Sequence, residues 1–100
     1  MKTPKHLSRN HVLYRAIRAY PLFVDSDKEL LITLHKMIPE KGSKMTVAEI
    51  AALTSYTTAT IRKSIGRTRK EGLLTCEQAS YHSPIHVFGF TEKFKELGKK

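Results

Sequence analysis

Five cations fall within residues 57–72, at Arg62, Lys63, Arg67, Arg69 and Lys70, against the single acid Glu71. A cluster of this kind favours a polyanion, because each neutralised phosphate releases counterions and binding tightens as salt is lowered. Other chemistry is poorly provided for. Cys76, His82 and His86 lie within eleven residues, but they form neither a C-x-x-C pair nor a helical H-x-x-x-H, so no metal site is predicted. No Ser/His/Asp arrangement, phosphate-cradling Gly loop or carboxylate pair stands out. Neither an enzyme nor a cofactor or small-molecule ligand is expected.

The elements that must position these cations are two short helical patterns. Thr57 reads as an N-cap flanked by Tyr56 and Ile61 at staple spacing, and Ile61, Ile65 and Thr68 continue one stripe toward the stop at Glu71-Gly72. With that stripe turned inward, Thr58, Ala59, Arg62, Lys63 and Gly66 point outward. Gly66 costs the helix about 1 kcal/mol relative to Ala, which reads as close approach of another backbone, a kink, or drift. Upstream, Thr46 and Glu49 make a T-x-x-E capping box with Met45 and Ile50 at staple spacing. Val47, Ile50, Ala51 and Thr54 then fall on one face with Leu53 beside it. Only Ser55 and Tyr56 separate the two helices, so the turn is tight and the helices cross at a large angle.

This pair, Thr46 to Gly72, resembles the helix-turn-helix family. The family places a small residue in the first helix, here Ala51, then a turn Gly, an apolar residue, a Ser or Thr cap, and later Thr-Val. The sequence has Ser55, Tyr56, Thr57 and Thr60-Ile61 at the later positions. It departs in Ser55 for Gly, which makes a left-handed turn residue more costly, in Tyr56 for Val, and in Thr68 for Leu.

One hundred residues with 40% hydrophobic side chains, five Gly and four Pro predict one folded globular domain. The net charge of +9 is uneven: residues 1–24 hold five basic groups and no acid, and the other concentration is the second helix of the pair. The single Cys76 rules out an intrachain disulfide and fits a reducing, cytoplasmic, nucleoid-associated setting. No apolar run reaches the length of a membrane span, and Met1 to Ser8 lacks the apolar core of a secretory signal.

Residues 1–24 are expected to form a basic N-terminal arm, Met1 to Leu7, and an extra helix starting at Ser8. Val12, Leu13, Ala16, Ile17 and Tyr20 line one side of that helix, Arg9, Arg15 and Arg18 the other, and Pro21 ends it. It can pack on its own core or pair with a second copy as a homodimer. A second capping box, Ser26 with Glu29, opens a helix carrying Leu30, Leu31, Leu34, Met37 and Ile38, which Pro39 and Gly42 end. The segment Gly42-Ser-Lys-Met adds a short strand. After Gly72 the periodicity changes: Leu73–Glu77 and Ile85–Phe90 read as strands around the loop Ala79–Pro84, and Thr91 caps a last short helix with Phe94 and Leu97.

Residues 25–98 therefore run helix, helix, helix, strand, loop, strand, helix. This order resembles the winged helix-turn-helix superfamily, as do Arg69-Lys-Glu-Gly-Leu-Leu at the helix-to-wing junction and Phe88-Gly-Phe-Thr-Glu-Lys at the exit from the wing. The fold expected is mostly α with a small β-hairpin wing. The resemblance implies a sequence-specific binder of double-stranded DNA, a transcriptional regulator of the small bacterial, plasmid or phage type. An origin-binding protein, or a winged-helix module for RNA or an acidic partner, is the alternative. It further implies that the second helix enters the major groove, with Arg62 forking onto guanine O6 and N7 and Lys63 beside it. Thr57, Thr58 and Ala59 would lie at a thymine methyl or a phosphate, and Arg67, Arg69 and Lys70 on phosphates. Lys44 and Thr46 are a further phosphate contact at the first helix start. The loop lacks Lys and Arg, leaving Tyr81 and His82 as its candidates.

Overall fold

The structure, a computed structural model, describes the backbone of residues 5–80 and 83–98 and the side chains of residues 12–40, 42–80 and 83–98. Eight elements follow in order: α1 (Lys5–Arg18), α2 (Asp25–Lys41), β1 (Lys44–Thr46), α3 (Val47–Thr54), α4 (Thr58–Lys70), β2 (Leu74–Gln78), β3 (Ile85–Phe90) and α5 (Glu92–Glu96). The strands make one antiparallel sheet in the order β1-β3-β2. One apolar core joins Leu13 and Ile17 of α1, Leu30, Leu31 and Leu34 of α2, Ile50 of α3, Ile61 and Ile65 of α4, and Leu74, Phe88 and Phe94. Buried side chains of this size stabilise the fold by roughly 1.5–3 kcal/mol each.

Several boundaries differ from the sequence reading. Helix α1 begins at Lys5, so Ser8 does not cap it and the expected arm is partly helical; Met1 to Pro4 and the side chain of Arg9 lie outside the described residues. Helix α2 begins one residue before Ser26, and Val24 is its cap residue. The backbone N–H of Val24 donates to Asp27 Oδ2 at 3.3 Å. Asp27 thus does what Glu29 was expected to do, and Ser26 is free to turn toward α4. Pro39 sits inside the last turn of α2 without ending it. Pro39 takes one N–H from the ladder, yet the helix runs two residues further to Lys41, and Gly42, at φ +86°, donates to Ile38 O at 2.8 Å. Leu53, beside the buried face of α3, is exposed. A Cβ on Gly66 would meet nothing within 4 Å, so no other backbone approaches it.

The hairpin is tied at its base. At the end of α4, Leu73 N–H reaches Thr68 O at 3.1 Å and Gly72 N–H reaches Arg69 O at 2.9 Å, a Schellman stop with Gly72 at φ +79°. Thr91 caps α5 by accepting from Phe94 N–H at 3.2 Å, and its hydroxyl donates to Gly72 O. The start and end of the hairpin are therefore held together.

Candidate nucleic-acid interface

The pair α3 and α4 is built from local hydrogen bonds. Thr46 Oγ1 accepts from Glu49 N–H at 3.1 Å, and Glu49 Oε1 accepts from Thr46 N–H at 2.8 Å, completing the capping box. Ser55 takes the left-handed conformation, φ 67° and ψ 14°, the only positive-φ non-glycine residue described. Its N–H still reaches Ala51 O at 2.9 Å, so the turn keeps its geometry without glycine. Thr57 Oγ1 then accepts from Thr60 N–H at 3.2 Å, which starts α4. The two caps occupy the hydroxyls of Thr46 and Thr57.

Burial sorts the residues of α4 into an inner face and three kinds of outer position. Ile61, Ser64, Ile65 and Thr68 are buried. Thr68 hides its polarity by donating to Ser64 O at 2.9 Å, so it packs where a leucine was expected. Opposite them at 100° per residue lie Ala59, Lys63, Gly66 and Lys70, all exposed. Arg62 and Arg69, seven residues apart, stand on the flank facing the hairpin, where they line an open groove with Val47, Ile65, Cys76, Gln78 and His86. Thr58 is exposed in the first turn. Among the described residues no carboxylate pairs with Arg62, Lys63, Arg69 or Lys70.

Arg67 differs from the other four cations. It stands on the α2 side, and its Nε donates to Asp27 Oδ1 at 3.0 Å and Oδ2 at 2.9 Å. Asp27 is fully buried while the arginine side chain stays 42% exposed. The hydrogen bond to Asp27 raises the guanidinium further above its already high range. Its Nε is committed to an internal carboxylate, which sets it apart from the other cations expected to hold phosphate. Asp27 was missed because its partner is 40 residues away. The one available signal was Ser64, a polar residue on an otherwise inward stripe.

The hairpin carries Leu74, Cys76 and Phe88 inward and Thr75 and Glu77 outward. Cys76 pairs with Phe88 in the ladder, and its sulfur lies 3.6 Å from His86 Nδ1. Burial pushes the Cys76 thiol above its usual range, with Arg69 acting in the other direction and Glu77 in the same one, which favours the thiol over the thiolate. Among the described residues no three His, Cys, Asp or Glu side chains are grouped to hold a metal. Lys44 is exposed on β1, paired with Val87, and Thr46 pairs with Ile85, which brings both beside the hairpin. Tyr81 and His82 lie outside the described residues. Among the described residues no helix is long and apolar enough to cross a membrane.

Known structures share this arrangement. A point variant of Lactococcus lactis ZitR solved with DNA is similar over 77% of this chain and 49% of its own, with a TM-score of 0.58 and 18% identity. AdcR, the adhesin competence repressor of Streptococcus pyogenes, is similar over 99% of this chain and 70% of its own, with a TM-score of 0.61 and 18% identity. The fold is a winged helix-turn-helix. ST1889 of the archaeon Sulfolobus tokodaii shares it over 96% of this chain and 89% of its own, at a TM-score of 0.60 and 17% identity. The winged helix described here spans about half the length of the ZitR chain. No protein-family model matches the sequence, and no curated protein matches it.

Proposed function

We propose that this winged helix binds double-stranded DNA sequence-specifically and regulates transcription, with α4 in the major groove. The observation that carries the reading is the set of cations, unpaired among the described residues, on the outer and hairpin-facing sides of a helix whose start is fixed by a cap and a tight turn. The solved ZitR complex contains DNA and AdcR is a repressor, which supports the same chemistry for this shape. Arg62 is the leading base reader, with Lys63, Thr58 and Ala59 beside it. Arg69, Lys70 and Lys44 hold phosphates, with the amides at the Thr46 cap, and Tyr81 and His82 meet the backbone from the wing. Arg67 is left out of the reading set. The protein acts in the cytoplasm on the nucleoid. A homodimer would read a two-fold site, and the exposed Leu22 and Val24, which follow α1, offer apolar surface to such a contact.

Selection from a random duplex pool, followed by anisotropy titration at two salt concentrations, tests the proposal. One or a few enriched sequences are expected. Arg62→Ala should cost about 1–3 kcal/mol on the selected duplex and relax its preference, whereas Arg69→Ala should weaken every duplex and lower the salt slope by about 1. Equal affinity for every sequence would end the reading as a sequence-specific regulator.

A further inference from the structure

Two polar links cross the buried contact between α2 and α4. Ser64 Oγ donates to Ser26 Oγ at 2.9 Å, with both residues buried. One turn along α4, Arg67 Nε grips both oxygens of Asp27, and its Nη2 reaches back to Ser64 Oγ at 3.4 Å. Asp27 is itself anchored to the start of α2 by the N–H of Val24. Among the described residues no buried side-chain nitrogen or oxygen lacks a hydrogen-bond partner, so the network is closed.

Such a network does something the leucines and isoleucines around it do not. Apolar packing is non-directional and tolerates small rotations of a helix, whereas a carboxylate receiving one N–H between its two oxygens does not. Rotating a helix of roughly 6 Å radius by about 20° carries a side-chain tip about 2 Å, well beyond the ~0.5 Å tolerance of a binding constellation. A buried ion pair is also weak evidence for stability, since an apolar replacement of similar volume is often neutral or better. What it supplies is a unique arrangement.

We infer that Asp27, acting through Arg67 with Ser26 and Ser64 beside it, is a positioning residue that sets the rotation of α4 and so decides which side chains meet the bases. The inference rests on the DNA-reading function proposed above. Asp27 touches no DNA; its effect is on selectivity.

The test uses the full chain as wild type, Asp27→Asn, and the double variant Asp27→Leu with Arg67→Met, which leaves net charge unchanged. Three quantities are measured: the melting temperature, the ratio of affinities for the selected and a scrambled duplex, and the orientation of α4 relative to α2 in the free protein from residual dipolar couplings. The double variant should melt no lower than wild type and bind the scrambled duplex as wild type does. Its selectivity should fall by at least about tenfold, the discrimination supplied by one good base contact, and its couplings should report a turned α4. Asp27→Asn, which keeps the shape and loses the charge, should show the same loss in smaller measure and stands in if the double variant does not fold. Unchanged selectivity, or an unturned α4, would overturn the inference. A wild type without sequence preference would remove the DNA-reading function instead, and the couplings would still decide whether Asp27 sets α4.

Discussion

On α4, four cations look outward or toward the hairpin, and a fifth is drawn to the buried Asp27. The hairpin behind it has no Lys or Arg anywhere from Leu73 to Phe90. Its order comes from the ladder instead, with Leu74 opposite Phe90 and Cys76 opposite Phe88, while β3 also pairs with β1 directly before the Thr46 cap. Helix α4 thus carries the charge, and the wing holds the start of α3. In this winged helix the charged surface and the brace are separate elements, which explains how a wing without cations fits a domain that concentrates them elsewhere.

The largest expected effect comes from breaking the brace. Gly89 pairs with Thr75, and a Cβ there would lie 2.8 Å from Thr75 Oγ1. Gly89→Ala should destabilise the domain by about 1–3 kcal/mol, as overpacking does. Thermal unfolding should show the loss, adding Thr75→Ala should recover most of it, and amide exchange should spread into α3. Loosening confined to the strands would mean that the hairpin holds nothing but itself.

A smaller effect is expected one residue on, where β3 ends at Phe90. His35 Nδ1 is hydrogen-bonded to the Tyr14 hydroxyl at 2.9 Å, and its ring packs near Phe90 and Phe94, joining α1 and α2 to the exit of the wing. Burial lowers its pKa below the usual 6.5. Above that pH both folded and unfolded chains hold it neutral. Below it the unfolded chain takes up a proton first, so stability falls with pH and levels off once the folded pKa is passed. His35→Phe should flatten this part of the melting-temperature profile, and an unaltered profile would assign the pH dependence to other groups.

The smallest effect is expected at the loop. Changing Tyr81 and His82 together to Ala should cost DNA binding about 0.5 kcal/mol, the low end for one net hydrogen bond. A loss as large as that of Arg69→Ala would put the wing on equal terms with the helix.

Much of the fold was legible because its boundaries are local. The caps at Thr46, Thr57 and Thr91 and the stop at Gly72 each involve residues within a few positions of one another, and all four are found where the pattern placed them. The left-handed turn at Ser55 was legible from the family resemblance, which puts a turn Gly at that position. What was not legible depends on distant partners. Ser26 has the spacing of a cap, but Ser64, 38 residues on, gives its hydroxyl a buried partner, and the capping passes to Asp27. Arg67 looked like its neighbours because the side of α4 that faces α2 is set by packing, not by composition. Val47, Ile50 and Ala51 were found on the buried face of α3, and Leu53, read as lying beside that face, is exposed, since a residue at the edge of a helical stripe is settled only by what covers it.

The tie between Thr91 and Gly72 has a consequence for how such a domain changes over generations. Because Thr91 also donates its N–H to Leu73 O, and Ala79 N–H closes onto Ile85 O farther out, the hairpin is closed by its own hydrogen bonds below the five-residue tip, 80–84, that lies beyond that last rung. Doubling a flexible loop costs only about 0.6 kcal/mol of closure entropy. The tip is therefore an evolvable cassette. Residues can be inserted or exchanged there, changing its reach and charge, while the helix pair keeps its geometry.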